Sequence, residues 1–452
     1  MPMRSADMKI INRLKIRLME KMRKTNALSH YEAYLKNQWR DQHTLQTEQN
    51  EKLSALISHA YEQVPFYNEY MKSHDIKPED IRNVEDLTKL PIVDKAELKR
   101  QKDKILANDI EDYSPEEKRT GGSTGEPFKF YLPKKSHSLM WANLWRGWNV
   151  AGYEPGDKIG VLAGGSLLSG FDLKRKVYYY LNNWIPFSSY NMSEEKMAEY
   201  IETIQKSRIK LLYSYSSSAY ELANYILKHK VDIKLEGVIT TSEVLFPHYR
   251  QAIEKAFQCE VYDQYGANDG GVTAFECPHH DGLHIGMERC AVEIVDDEGN
   301  PVPDGVEGRI LLTDLSNYAM PFIRYEVGDY GALTTEPCSC GRGLIRLTHI
   351  KGRQQEFVYS ENERKVHGGF FSTTFRQYDA VEQFQIKQDR VGEIVIKVRL
   401  NDSSFEKELD HIKERIKAQT EMKRVTIELT EQFEKTKGGK HKFVINNVDE
   451  SS

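Results

Sequence analysis

The sequence predicts an α/β protein with a large N-terminal part and a small α+β C-terminal part. Three observations predict it. Between about residues 158 and 269, short apolar runs alternate with helical patterns, as parallel strands joined by helices do. After about 285 the rhythm changes to strand following strand, as in AVEIVDDEGNPVPDGVEGRILLTDL, where a Gly/Pro/Asp turn joins two strands. After 353 a smaller β–β–α–β pattern of about 100 residues follows, enough for a separate small domain. At 452 residues the chain is too long for one core.

Taken in order, residues 8 to 24 form a basic amphipathic helix with Ile11, Leu14, Leu18 and Met22 at helical spacing. Such a helix either lies on an anionic membrane surface or packs on the body of the protein. Residues 50 to 110 read as short helices broken by Pro65, Pro78 and Pro91. KIGVLAGGS (158–166) is a strand ending in small residues. In RIKLLYSYSSSAYELANYILKHK (208–230) a strand leads to a helix capped within Ser216–Ser218. LEGVITTSEVL (235–245) is a strand entering a helix, and CEVYDQYGAND (259–269) a strand ending in a polar loop. Ligand groups in such a sheet belong at the carboxyl ends of its strands. EFVYSENERKVH reads as a hairpin; QFQIKQDRVGEIVIKVRL, a helix over 403–420 and RVTIEL complete the small unit.

Composition narrows the class. Hydrophobic residues make up 39% and charged residues 29%, as in a globular protein. The net charge of −5 excludes a global electrostatic footprint for nucleic acid. No apolar run approaches the ~20 residues of a membrane helix, and no signal-peptide pattern opens the chain, so a cytoplasmic location is expected. Five cysteines in this length do not suggest a disulfide framework.

The stretch RTGGSTGEPFKFY (119–131) places Gly121, Gly122, Ser123, Thr124 and Gly125 between a basic residue and a strand. Glycines let successive backbone N–H groups converge on an anion, and Thr120, Ser123 and Thr124 add hydroxyls. Glu126-Pro127 stands where the common phosphate loop has Lys-Ser/Thr, which disfavours a GTPase-type loop. Alone, the stretch reads equally as a hairpin turn or an anion cradle.

It is not alone. TGGSTGEP (120–127) resembles the signature loop of the adenylate-forming enzymes, and its Glu-Pro ending resembles the phenylacetate–CoA ligase branch with its capsule-biosynthesis relatives. TTSEVL (240–245), DQYGANDGG (263–271), PFIRYEVGD (321–329), IKGR (350–353) and TKGGKHK (436–442) resemble the family's further motifs in their family order, covering about residues 50 to 445. The resemblance implies the adenylate-forming fold, with a small mobile C-terminal domain from 353 to 452 and a large domain over 1–352. It implies an ATP-dependent ligase that activates a carboxylic acid as its acyl-adenylate, releases pyrophosphate, and passes the acyl group to an acceptor, CoA first of all. In capsule-type relatives an amine or sugar would take its place.

The resemblance also assigns roles. Residues 120–125 would hold the β- and γ-phosphates, with Thr124 counted among the catalytic groups. Ser242 and Glu243 precede the adenine region, Tyr265 would stack on adenine unless it is a core aromatic, and Gly266 and Ala267 line the nucleotide. Asn268-Asp269 replaces the family's Thr-Glu pair, with Asp269 as the shorter Mg²⁺ carboxylate. Asp329, expected to end a strand before a Gly-rich turn, would accept hydrogen bonds from the ribose hydroxyls. Arg353 would reach ribose or phosphate, and Lys440 would cover the α-phosphate.

Cys338-x-Cys340 offers two thiolates one residue apart, and Cys277 with His280 or His284 lies on another loop. Together they can make a closed, structural tetrahedral zinc site, taken as Cys277, His284, Cys338 and Cys340. It would staple the loop after Tyr265 to the β-rich segment. Cys259 and Cys290 read as buried small hydrophobes in strands. Trp141, Trp145 and Trp148 suit either an aromatic pocket or a buried helix face, with at least two assigned to core. Besides the acid, ATP and the acceptor, an anionic membrane surface reached through residues 8–24 and a second copy of the chain are further candidate partners.

Overall fold

The computed structural model describes residues 5–119, 129–163, 173–189, 192–353, 357–362, 365–375, 378, 380–435 and 441–448. An 11-stranded sheet forms the spine of the large part. Trp184–Ser188, Ile159–Ala163, Leu211–Tyr215, Gly237–Thr241 and Val261–Ala267 lie side by side and parallel. Ile159–Ala163, Leu211–Tyr215 and Gly237–Thr241 are buried at every position, as strands covered on both faces must be.

The hairpin of Val261–Ala267 with Val272–Glu276 then reverses the sheet to antiparallel. Leu283–Ile285, Arg346–Arg353, Tyr325–Thr334, Gly308–Asp314 and Cys290–Val295 complete it in that spatial order. The β-rich stretch expected as its own subdomain therefore shares one hydrogen-bonded sheet with the parallel half. Antiparallel pairing across the hairpin carries the ladder without a break.

The helix breaks expected at Pro65 and Pro78 are present, and residues 42 to 63 form one helix of 22 residues, capped by Asp41, whose side chain accepts from the Thr44 amide at 2.9 Å. Nothing breaks the helix until Pro65, which takes the first turn of the next helix, Pro65–Ser73. The helix Ser216–His229 starts directly on the strand end, with no side-chain cap from its serines. Its Ser217 amide donates instead to Glu243 Oε2 at 2.9 Å, so a carboxylate from a neighbouring loop satisfies an orphan donor and sits favourably at the helix N-terminus.

Helix α1 (Ser5–Arg23) packs on the body, but through a face other than the apolar stripe. Ile16 and Glu20 are buried, whereas Ile11, Leu14, Leu18 and Met22 are solvent-exposed. Periodicity shows that a helix has two faces; contacts elsewhere in the chain decide which one is covered.

The helix Lys134–Asn149 settles the three tryptophans. Trp145 and Trp148 are core, and Trp141 is partly buried against them. Trp148 packs on Tyr213 (centroids 4.8 Å), Tyr153 (5.1 Å) and Trp184 (6.0 Å), and its indole N–H donates to Gln264 Oε1 at 3.2 Å. This locks the helix to the strand that carries Tyr265. Behind it the buried Arg146–Glu288 pair (2.7 Å) is completed by Asn143, so neither charge is left uncompensated.

In the small part, Arg424–Leu429, Glu393–Leu400, Val381–Arg390 and Val444–Asn446 form a four-stranded sheet beside helix Leu409–Thr420. The hairpin Phe357–Tyr359 with Lys365–His367 is as expected. Helix Gly368–Phe375 was not expected from the sequence. The two parts share apolar surface: Phe246 of the large part packs on Phe443 of the small part at 5.2 Å and on Phe384 at 6.3 Å. Trp148→Ala should destabilise the protein by about 3–5 kcal/mol, read from denaturant unfolding; a change under ~1 kcal/mol would contradict the packing role assigned to this ring.

Candidate functional site

The carboxyl ends of Gly237–Thr241 and Val261–Ala267 are adjacent, Thr241 pairing with Gln264. Ser242 follows in a left-handed conformation (φ 68°) and turns the chain out of the sheet. Beyond Tyr265, Gly266 and Ala267, residues 268–271 make the hairpin turn, in which Asn268 is exposed and Asp269 buried. Gly271 closes the turn at φ +80°, and a Cβ there would lie 2.4 Å from the Asp314 carboxyl carbon. That makes glycine a requirement for both reasons.

Two reciprocal hydrogen bonds fix this turn. The Tyr265 hydroxyl donates to Asp329 Oδ2 at 2.7 Å, and the Tyr325 hydroxyl donates to Asp269 Oδ2 at 2.9 Å. Tyr325 and Asp329 are four apart on one strand and hence share a face. Asp329 does not end a strand as expected. It sits within Tyr325–Thr334, opposite Arg353, just after Gly328 at φ +86° and just before a register shift at Tyr330/Gly331. The local irregularity marks a strand bulge where the sequence suggested a turn. Lys95 Nζ lies 3.4 Å from Asp269 Oδ2. Neither Lys95 nor Tyr325 was singled out from the sequence. Tyr325 carried a signal, its even spacing from Asp329 in a strand; Lys95, more than 170 positions away in sequence from Asp269, carried none.

Glu243 links the site to the small part. Its Oε1 accepts from the His441 amide at 3.0 Å, while Oε2 holds the Ser217 amide. Lys435 and His441 bridge one another. Lys435 also donates to the Ser189 carbonyl at 3.4 Å and lies 3.8 Å from Glu221. His441 is buried, which pushes its imidazole down to about 4 and keeps it neutral, accepting or donating at Gln383 and Phe384. Both flanks of 436–440 thus rest on the large part, His441 at Glu243 and Lys435 at Ser189 and Glu221. Thr120, Gly121, Gly122, Ser123, Thr124, Gly125, Lys440 and the side chain of Arg353 lie outside the described residues. Strands Pro115–Arg119 and Lys129–Pro133, on either side of the glycine-rich stretch, pair antiparallel with Arg119 opposite Lys129.

Cys277, His284, Cys338 and Cys340 converge, with all four ligand atoms within 4.8 Å of one another. Cys277 Sγ is 3.8 Å from Cys338 Sγ, and Cys340 Sγ is 3.4 Å from His284 Nε2. Two sulfurs each bound at ~2.3 Å to a tetrahedral zinc would be about 3.8 Å apart, so the spacing fits a metal and is far too long for a disulfide. His284 turns its other nitrogen, Nδ1, towards the Leu344 carbonyl at 3.4 Å, the outer-shell contact that orients a metal-binding imidazole. Burial, then the nearby Arg342, pushes His284 down to about 3, leaving it neutral and able to ligate. Burial pushes the Cys277 thiol up to about 12; a bound divalent cation would reverse this by taking the thiolate.

His280, the alternative ligand, points elsewhere, with Nδ1 at 3.2 Å from both Glu276 and Arg250. Cys290 is fully buried, as expected. Cys259 is not: it is half-buried in the bend before Val261–Ala267, because the strand starts two residues later than the apolar pattern suggests.

Residues 358–447 match the family model of the CapK C-terminal domain. Protein CapK of Staphylococcus aureus is 26% identical over 409 residues, covering 88% of this chain and 89% of that protein. The phenylacetate-coenzyme A ligase of Thermus thermophilus is 26% identical over 368 residues, covering 79% and 82%. Among solved structures, a 2-hydroxyisobutyryl-CoA ligase in the postadenylation state, in complex with R3-HIB-AMP, superposes with a TM-score of 0.70 at 18% identity over 88% of each chain, a likeness of fold. The curated relatives are thus CapK and phenylacetate–CoA ligases, the branch that the ordered motifs resemble, and the superposition shows a shared fold.

Proposed function

We propose that the protein activates a carboxylic acid with ATP and transfers the acyl group to CoA. The observation that carries this reading is the paired bonding of Tyr265 with Asp329 and of Tyr325 with Asp269, with both flanks of the lysine segment held on the large part through Glu243 and Ser189. In the first half-reaction a substrate carboxylate oxygen forms a bond to the α-phosphorus, and the bond to the bridging oxygen breaks, releasing pyrophosphate. In the second, the acceptor thiolate adds to the acyl carbonyl and AMP leaves. Both steps depend on positioning and on neutralising phosphate charge.

Asp329 takes the ribose hydroxyls, since a carboxylate offers several acceptor sites, and the Tyr265 ring lies beside adenine. Gly266, Ala267 and Asn268 border the nucleotide, Ser242 and Glu243 shape the turn beneath it, and Arg353 reaches the ribose or phosphate. Thr120 to Gly125 hold the β- and γ-phosphates, and Lys440 neutralises the α-phosphate. Asp269 holds Mg²⁺, which supplies charge neutralisation at the phosphates when bound. Among the described residues, the contacts made by Asp269 fall on Oδ2, which leaves Oδ1 for a metal. Lys95 Nζ, 3.4 Å from Oδ2, helps aim the carboxylate. We place the boundary between the parts at 352/353, at the end of strand Arg346–Arg353.

Cys277, His284, Cys338 and Cys340 bind a structural zinc, with no position left open for catalysis. It joins the end of Val272–Glu276 to the loop between Tyr325–Thr334 and Arg346–Arg353, and so braces the hairpin that presents Asp269. The match of 358–447 to the CapK C-terminal domain is compatible with a second acceptor class, the amine or sugar that the resemblance to capsule-type relatives implies.

Exchange of labelled pyrophosphate into ATP with a panel of carboxylic acids tests the reading. At least one acid should support exchange; exchange with none, together with no ATP binding, would end it. Adding CoA or amino sugars to the preformed acyl-adenylate separates the two acceptor classes. Lys440→Ala should lower adenylation by about 10²–10³-fold while ATP still binds; a wild-type rate would refute the assignment. Tyr265→Phe should raise KM for ATP by up to ~10-fold with little change in kcat, since it removes one hydrogen bond to the ribose carboxylate; a fall confined to kcat would contradict it. Metal analysis should give about one zinc per chain, lost with reduced thermal stability in Cys338→Ser; metal-free wild type would exclude the site.

A further inference from the structure

We propose that the outward face of helix α1 docks the protein on an anionic lipid surface. No helix among the described residues is long and apolar enough to cross a membrane, so the contact is peripheral. Ile11, Leu14, Leu18 and Met22 are 41%, 56%, 57% and 73% exposed. At 3.6 residues per turn they fall within about an 80° arc, so they form one continuous apolar stripe. Exposed Val177 and Tyr180 from the adjoining helix Leu173–Asn182 add to the apolar surface on this side of the molecule. Lys15 Nζ lies over the Tyr180 ring at 4.9 Å, joining the two helices at this surface.

The inner side of α1 is anchored, so the stripe does not face out for want of packing. Glu20 Oε1 accepts from the Leu28 amide at 2.8 Å, Arg13 pairs with Glu154 at 3.1 Å, and Ile16 is buried in the core. A Cβ on Gly156 would lie 2.6 Å from Asn12 Cβ, so the helix rests directly on that turn. These contacts leave the helix no freedom to roll its stripe inward.

Charge chooses the occupant. The helix carries six basic residues, Lys9, Arg13, Lys15, Arg17, Lys21 and Arg23, against Asp7 and Glu20, a balance of 6 − 2 = +4, in a chain whose net charge is −5. Arg17 and Lys21 are exposed and border the stripe on one side, and Lys15 borders it on the other. Glu20, one of the two acids of the helix, is turned into the protein. An apolar stripe flanked by lysine and arginine, with a tyrosine beside it, is the pattern of a helix lying in a lipid headgroup layer. Apolar contact and basic charge together supply the two signals that stable attachment needs. A second copy of the same face would instead set like charges against one another.

Co-sedimentation of the full chain with equimolar phosphatidylglycerol–phosphatidylcholine vesicles, against pure phosphatidylcholine vesicles, tests this. The wild type should bind the anionic vesicles at least ~10-fold better, and less at high salt. Leu14→Glu/Leu18→Glu and Arg17→Glu/Lys21→Glu should each lose that binding. Both should keep the wild-type melting temperature and pyrophosphate exchange, since the altered side chains are exposed and none belongs to the nucleotide site. Equal binding to both vesicles, no binding by the wild type, or undiminished binding by the leucine variant would overturn the proposal. So would a dimer in solution that the leucine variant abolishes. Vesicle binding and exchange are read separately, so failure of this inference and failure of the ligase reading are distinguishable.

Discussion

The site depends on one reciprocal arrangement: two tyrosine hydroxyls donating to two carboxylates between two segments of one sheet that are not neighbours in its strand order. Tyr265 and Asp269 belong to the hairpin that turns the sheet from parallel to antiparallel, and Tyr325 and Asp329 belong to one antiparallel strand. Each bond spans about sixty residues of sequence, and each involves a buried carboxylate that would be costly to leave unsatisfied. Together they hold the groups assigned to adenine, ribose and metal in one frame. Gly271, pressed against the buried Arg289–Asp314 pair, leaves the turn little room to relax.

Around that frame the protein braces each element from behind. Trp148 ties the helix Lys134–Asn149 to Gln264, next to Tyr265. The cysteine–histidine cluster ties the far end of the same hairpin to the loop beyond Asp329's strand. Glu243 performs a third tie with one side chain, closing a helix N-terminus and holding the small part by the backbone of His441. Because that last contact is made to backbone, it constrains position rather than side-chain identity. Such a contact would break and re-form in the movement of the small part that the family resemblance implies.

Much of this was legible in sequence, and the failures are informative. The parallel strands read correctly because runs such as IGVLA and GVITT are buried on both faces and so continuously apolar. The convergence of Cys277, Cys338 and Cys340 was legible because Cys-x-Cys fixes two donors locally, whereas the choice between His280 and His284 needed the fold: a left-handed residue at 280 aims its ring at Glu276. The Ser216–Ser218 cap failed because Glu243, from another loop, competes for the same amide. Asp329's place inside a strand was hidden because Gly328 signals a turn equally well as a bulge. Lys95 was not legible, and the choice between the two readings of α1 stayed open, since long-range packing decides both.

The central claim is that Asp329 and Tyr265 form the ribose and adenine seat. A crystal structure with AMP bound tests it most directly. The account predicts the ribose hydroxyls within hydrogen-bond distance of the Asp329 carboxylate and the adenine against the Tyr265 ring. AMP bound elsewhere, with the Tyr265–Asp329 pair untouched by nucleotide, would contradict it.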